Sequence, residues 1–459
     1  VIEKVLARIR PGPEEEARVR ETASSLVEAV REEVARRGVR GEVLLVGSVA
    51  KGTFLRDPDM DVFIRFPLDV SREEMERTAL EIGKAVLHDW VISYAEHPYV
   101  RGVYRGYEAD IVPCYSIRDP SELKSSVDRT PFHTEYVRRH LPVERRDDVR
   151  LLKAFMRGIG VYGAEARVRG FSGYLTELLV IKYGGFVEVL RNAARWRIPV
   201  KLSMSGEDAG RFREPMVFVD PTDIRRNVAS AVSEESLATF ILASREFLRR
   251  PSALFFFPPE DEVDEEALLR TMERRGTCVF ALSLPAPDIH PDTLHDQARR
   301  LLNLTVDIAD REGFGVVDAD LHIGERIVVL VEVEMCEVPR VKVHRGPPAD
   351  HPNSEDFMDK WSRERRLRGP YIKGRRLYVD VVRQETLFPR VLLQSLMAQD
   401  IGKNLNVLKG EMVCEPVSGE NVGLYRDALS RFLLRRLPWL PREGGVDEDR
   451  PHPEPSQEK

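Results

Sequence analysis

The sequence predicts an α+β, multidomain chain, and three observations carry that reading. Near the start, strand-like runs alternate with amphipathic helical stretches. Through the middle, roughly residues 147–250, helical periodicity dominates. After a break rich in Phe and Pro at residues 251–259, the pattern returns to strand, helix, strand, strand. With 459 residues, roughly two to four domains can each bury a core. Composition is that of a globular chain on the charged side, 42% hydrophobic and 32% charged.

Taken in order, residues 13–38 predict a long helix with Val19, Ala23, Leu26, Val27 and Val30 at helical spacing and Pro13 at its start. Val43 to Val46 predicts a strand, Gly47-Ser48 a sharp turn into a short helix, and Val62 to Ile64 a second strand. A helix follows over 72–88, capped by Ser71, then strands near 91–95, 98–105 and 107–112, with Pro113 ending the last. Thr130 and His133 stand at the start of another helix, and Asp147 to Arg157 predicts one with Lys153 between apolar positions. Gly158-Ile159-Gly160-Val161-Tyr162-Gly163 has the dinucleotide-binding spacing, but a helix rather than a strand precedes it. It reads instead as a connection between helices that exposes Tyr162. Phe171 to Leu179 opens a buried helix, and Val219 to Asp223 is a turn leading to Arg225, Arg226 and Asn227. Ser233 or Ser236 caps the helix that runs to Arg250. Beyond the break, Cys278–Leu284, a helix over 291–311 and a hairpin over 316–333 suggest a ferredoxin-like or RNA-recognition sheet. Residues 386–408 predict a helix, and the tail from Glu443 is expected to be disordered.

The chemistry is concentrated in residues 47–63. Asp59 and Asp61 are separated by one residue at the start of a strand, so they share a face. Two adjacent carboxylates are costly unless a cation neutralises them. Alone, such a pair reads most simply as a solvated strand start. The Gly47-Ser48 turn beside it offers N–H groups and a hydroxyl to phosphate. Asp110, on a later strand, supplies the third carboxylate that two-metal chemistry needs, and oxygen ligands suit Mg²⁺. The rival reading of Asp110 is a buried acid paired with an arginine.

Other features bound the function. Net charge is −6, which neither requires nor excludes a nucleic-acid partner, since 70 basic residues are present and cluster. The densest cluster, residues 338–376, interleaves Arg345, Arg365, Arg366 and other cations with aromatics. It reads equally as a solvated loop or as a surface for RNA phosphates. Cys114, Cys278, Cys336 and Cys414 are far apart, without metal-site spacing, and read as small buried hydrophobes in a reducing compartment. No signal-peptide pattern or membrane span is found, so a cytoplasmic protein is expected.

Three stretches together resemble the archaeal-type (class I) CCA-adding enzymes, tRNA nucleotidyltransferases of the DNA polymerase β-like superfamily. They are Gly47 to Thr53 with Asp59-Met60-Asp61, Gly158 to Gly163 with Phe171 to Leu175, and Asp220-Pro221 with Arg226 to Ala229. The first marks the superfamily; the other two are more specific. The resemblance covers most of the chain and weakens after residue 260. It implies a polymerase β-like head (1–142), a helical central domain (143–256), a tRNA-binding C-terminal body and tail (257–442) and a disordered end (443–459). It also implies template-independent addition or repair of the tRNA 3′ CCA from CTP and ATP, with two Mg²⁺ ions. Asp59, Asp61 and Asp110 match the metal ligands. Ser48, Lys51, Lys153 and Tyr162 match triphosphate contacts, and Thr130 and His133 match residues near the nucleotide and primer end. Arg226 matches the base-reading arginine, with Arg225 leaving the register open by one and Asn227 beside it as a further contact. Arg299, Arg300, Arg345, Arg365 and Arg366 are candidates for gripping the acceptor stem and TΨC side. A homodimer is left open. The rivals are a poly(A) polymerase or oligoadenylate synthetase-like enzyme, against which the later motifs argue, and an RNA-binding module without catalysis, against which the three acids argue.

Overall fold

The computed structural model describes residues 1–56, 58–94, 96–259 and 264–440; the tail expected to be disordered from residue 443 lies outside them. The described chain forms two compact units, residues 1–259 with 437–440, and residues 264–436.

The first unit opens with α1 (Ile2–Ile9), which was not expected, and α2 (Pro13–Arg36). Pro13 occupies the first helical position, where its missing N–H costs nothing. Val19, Ala23, Leu26, Val27 and Val30 are all buried, as their spacing predicts. Then come β1 (Glu42–Val46), α3 (Gly47–Lys51), β2 (Met60–Phe66), α4 (Arg72–Val86), β3 (His88–Tyr94), β4 (Pro98–Tyr104) and β5 (Tyr107–Tyr115). Ser71 caps α4, accepting from Glu74 N–H at 3.2 Å. The strands form one sheet in the order β1-β2-β5-β4-β3, with β2 and β5 parallel and the other neighbours antiparallel. Its core-facing residues, Met60, Val62, Ile64, Ala109 and Ile111, are fully buried against α2 and α4.

Pro113 does not end β5, which runs on to Tyr115 beside β2. The N–H of Tyr115 turns away from β2 to Asp128 Oδ1 at 2.8 Å. Pro113, two residues earlier, would point its N–H the same way, beyond the last β4 rung at Ile111, so the ladder to β2 loses no bond there.

The helical part comprises α5 (Thr130–His140), α6 (Arg146–Gly158), α7 (Gly173–Tyr183), α8 (Phe186–Ala193) and α9 (Glu234–Arg249). Two short parallel strands, β6 (Val200–Leu202) and β7 (Met216–Phe218), lie between α8 and α9. Ser233, not Ser236, caps α9. Phe155 on α6 is ringed by Phe186, Phe240, Phe247, Phe255 and Phe256 at centroid distances of 5.5–6.3 Å. Each such edge or offset pair contributes about 0.5–1.5 kcal/mol beyond burial, which anchors the helix that carries Lys153.

The second unit contains α10 (Glu265–Arg275), β8 (Cys278–Pro285), α11 (Pro291–Glu312), β9 (Val316–Ile323) and β10 (Arg326–Val333). These are followed by β11 (Val341–Pro348), α12 (Ser354–Arg363), β12 (Arg368–Lys373), β13 (Arg376–Val382), α13 (Phe388–Met397), α14 (Lys403–Asn406), β14 (Val413–Pro416) and α15 (Arg426–Leu433). One antiparallel sheet has the order β14-β8-β10-β9; a second, β11-β13-β12, is inserted between β10 and α13.

Three further expectations need correction. The basic stretch 338–376 is no loop: it folds as β11, α12 and β12. Its Trp361 packs with Phe357 and His344 under the sheet instead of standing free. The helix expected over 386–408 is split: α13 stops at Met397, and α14 begins only after Gly402, whose φ of +114° no helix interior allows. Cys278 and Cys336 are not independent hydrophobes but form a disulfide, with Cα atoms 5.6 Å apart. Cys278 pairs with Val333 at the end of β10, which brings Cys336, three residues on, within reach. Cys114 and Cys414 are buried thiols, as expected. Among the described residues, no helix is long and apolar enough to cross a membrane.

Candidate active site

The site is built at the ends of β1, β2 and β5. Register places Asp61 beside Val46 on one side and beside Asp110 on the other. Asp59 directly precedes β2 and is exposed. The chain turns from β1 into α3 at Gly47, with φ +70°, and a Cβ built there would collide with Asp61 Oδ2. Glycine is therefore required twice, for the turn and for the approach of the carboxylate. Ser48, Lys51, Asp59 and Asp61 line a cavity of about 380 Å³ whose other wall carries Lys153, Arg157, Tyr162 and Glu177.

The carboxylates repel one another. The recess of Asp61 raises its carboxyl first, and the charges of Asp110 and Asp59 add to this, bringing it to about 7. Asp59, although open to solvent on one side, is raised by partial loss of hydration and by Glu108. Asp110 is buried, and Arg101 from β4 donates to both its oxygens, Nε to Oδ1 at 2.8 Å and Nη2 to Oδ2 at 2.7 Å. Asp110 is thus the arginine-paired acid of the rival reading, and strand register also sets it beside Asp61. By donor chemistry these acids suit a divalent cation, since carboxylate oxygens are hard ligands and a cation would relieve the repulsion on Asp61. Among the described residues, no three His, Cys, Asp or Glu side chains are gathered closely enough to hold a metal ion, and Arg101 occupies both oxygens of Asp110.

Two lysines bring positive charge to the cavity. Lys51 and Lys153 are both buried, and their ammonium groups gather around Glu177, which is fully buried on α7. Burial lowers Lys153 to about 8, although Glu177 opposes the shift. Arg150 holds the loop after α3 in place, donating to Gly52 O at 3.0 Å and Phe54 O at 2.9 Å. The sequence reading missed Glu177, Arg150, Arg157 and Arg101. Glu177 is a charged residue inside an otherwise mostly apolar helical run, and that was the available signal. Tyr162 is not exposed as expected. It is half-buried, bridged to Phe171, with the Arg157 guanidinium 5.0 Å from its ring centroid.

A second cluster lies in the same unit. His133 stacks on Tyr174, centroids 3.9 Å apart, and its Nε2 lies 3.0 Å from Asp220 Oδ2. Burial opposes ionisation of Asp220, but the bonds from His133 and Thr222 outweigh it and hold the carboxyl well below the usual range. Burial likewise lowers His133, so near neutral pH it is the uncharged imidazole, with Nε2–H donating to the carboxylate. Arg226 Nη1 reaches Asp220 Oδ2 at 3.0 Å and faces His133. Arg225 instead turns to Asp223 and to Pro120 O. Asn227 is not free to contact a ligand. Its Oδ1 accepts from Phe218 and Ala229 N–H, and its Nδ2 donates to Met216 O, so it holds the loop that presents Arg226. Thr130 is half-buried at the start of α5, four residues before Thr134, which donates to its carbonyl.

In the second unit, Arg345 and Arg365 are exposed. Arg366 is exposed too, but it staples the turn after α12 by donating to Gly369 O, Ser362 O and Glu364 O. Arg300 pairs with Asp400 at 2.9 Å, and Arg299 is half-buried on α11.

Comparison with known proteins places the site in context. Residues 27–133 match the nucleotidyltransferase domain family, 147–257 the second domain of tRNA nucleotidyltransferase, and 275–411 the C-terminal domain of CCA-adding enzymes. A CCA-adding enzyme of Thermoplasma acidophilum is 42% identical over 97% of this chain and 98% of its own length. One from Thermoplasma volcanium is 40% identical over 88% and 91%. One from Halobacterium salinarum is 42% identical over 83% and 84%.

Proposed function

Since this chain belongs to the CCA-adding enzyme family, we propose that it builds or repairs the 3′-terminal CCA of tRNA from CTP and ATP, without a nucleic-acid template. The observation that carries this reading is one cavity lined by Asp59, Asp61, Lys51 and Lys153, with Asp110 beside Asp61 on the neighbouring strand.

Asp59, Asp61 and Asp110 would hold two Mg²⁺ ions, which supply Lewis-acid stabilisation of the attacking and leaving oxygens. The protein's own part is positioning and electrostatics. The Gly47-Ser48 turn and Lys51 take one side of the triphosphate; Lys153 and Tyr162 take the other. Arg226, presented by the Asn227-braced loop and oriented by Asp220, reads the base beside His133. Arg225 is directed elsewhere by Asp223 and Pro120, which favours Arg226 as the reader. Thr130 and His133 border the nucleotide and primer end. A head over 1–142 and a helical domain over 143–256 would each furnish one wall.

The second unit would grip the acceptor stem and TΨC side. Its strand-helix-strand-strand start, with β14 added beside β8, supports a ferredoxin-like RNA-binding reading. The exposed Arg345 and Arg365 support phosphate contacts.

The test is incubation with tRNA lacking CCA and with CTP and ATP, separately and together. Addition of C, C and A followed by arrest is expected; long A tracts would refute the reading.

A further inference from the structure

Glu177 has no role in the reading above, yet it lies at the back of the cavity, 0% exposed. Its Oε2 accepts from Lys51 Nζ at 2.6 Å. Its Oε1 accepts from Thr53 Oγ1 at 2.6 Å and lies 3.8 Å from Lys153 Nζ. Lys153 in turn donates to Thr53 O at 3.0 Å. One carboxylate from α7 thus stands behind two ammonium groups that arrive on α3 and α6. A lysine buried without a counter-ion sheds its proton, and a carboxylate buried without one takes a proton up. An ammonium has three donors, so Lys51 can keep its bond to Glu177 and still donate to phosphate.

We propose that Glu177 is a positioning residue for nucleotide binding: its carboxylate aims the Lys51 and Lys153 ammonium groups into the cavity and holds Lys153 in its charged form for the triphosphate. This rests on the cavity being the nucleotide site. The charged groups facing Lys153 are Glu177 on α7, Lys51 on α3, and Arg157 and Arg150 on its own helix. Of these four, Glu177 alone favours the ammonium form. Glu177→Gln preserves volume and the Thr53 contact while removing the charge.

The experiment is calorimetric binding of CTP and ATP, with Mg²⁺, to the full chain from about pH 6 to about pH 9. Wild type, Glu177→Gln and Glu177→Asp are compared, with thermal melts as the check on folding. In wild type, affinity holds to about pH 8 and then falls. In Glu177→Gln the fall moves about one pH unit lower, and affinity recovers toward wild type at about pH 6. A structural role alone would lower affinity by one factor at every pH, and that result, or no change, overturns the proposal. Glu177→Asp keeps the charge but shortens its reach. Because the charge is kept, the fall is expected at the wild-type pH whatever the absolute affinity; a fall moved lower overturns the proposal even if the Gln variant fails to fold. Wild type that binds neither nucleotide refutes the site reading itself. Wild type that binds, with no displacement in Glu177→Gln, refutes only the role of Glu177.

Discussion

Arg101 and Asp110 form a two-bond pair across adjacent antiparallel strands, with the guanidinium on the carboxylate that also faces Asp61. A fixed positive charge therefore stands where a metal-binding acid is expected to meet its cation. It neutralises Asp110 in the free protein and opposes a second positive charge there. Replacing Arg101 by Gln is expected to raise affinity for Mn²⁺, measured by paramagnetic resonance without nucleotide, by about threefold or more. Unchanged affinity would mean that the arginine and the ion do not compete.

Asp61→Asn removes a carboxyl raised first by burial and then by the charges of Asp110 and Asp59. Incorporation into tRNA lacking CCA should drop by about a thousandfold or more, since electrostatic groups acting at a transition state are worth several kcal/mol. Filter binding should show tRNA affinity within about twofold, because phosphate contacts elsewhere supply most of it. The metal-free fold should melt slightly higher, as the like-charge repulsion is gone.

Lys153 yields a pH signature with two opposite signs. Its ammonium is held down to about 8 when folded, against 10.5 for the ordinary group. Between those values the unfolded chain binds more protons, so fold stability should rise with pH across that window. Over the same window the charge offered to phosphate disappears, so nucleotide affinity should fall. Lys153→Arg, which cannot deprotonate, should flatten both trends; denaturant melts and calorimetry read them separately.

Arg226→Ala and Arg225→Ala should separate base reading from loop support. The first frees Asp220 and His133 of their neighbour and should lower kcat/KM for both nucleotides by about a hundredfold. The second releases a contact to Asp223 and Pro120 O and should cost at most about tenfold in kcat/KM, the effect of a loosened loop. Equal losses would remove the reason for preferring Arg226.

In the second unit, reversing charge at Arg345 and Arg365 should weaken tRNA binding and reduce the slope of affinity against salt by about one per residue. Arg366→Glu should act differently. Its side chain holds three carbonyls, so the sheet edge should destabilise. Filter binding at several salt concentrations, with parallel melts, distinguishes the two effects.

Much of this was written locally. The apolar run Val62, Phe63 and Ile64, the Pro at the start of α2 and the Ser before α4 each specify a backbone state through nearest neighbours. The prediction of those elements holds closely. The face of Asp61 is set for the same reason, since a strand has a period of two, whereas Asp59 lies just before β2. Errors fell where a distant partner decides. Pro113 is tolerated because β5 donates to Asp128 on one side and β2 pairs on the other. Cys278 meets Cys336 only because β8 pairs with β10.

What the sequence alone determined, then, is the chemical content of the site, namely three carboxylates, a glycine turn and a scatter of cations, together with the period of the elements that carry them. Tertiary structure decided which charges meet. Arg101 reached Asp110 through strand register, Lys51 and Lys153 reached Glu177 through the packing of α3, α6 and α7, and Arg226 rather than Arg225 reached Asp220 through a loop braced by Asn227. Periodicity reports which way a side chain points along its own element. Coulomb energy depends on distances between elements, and those exist only once the chain has packed.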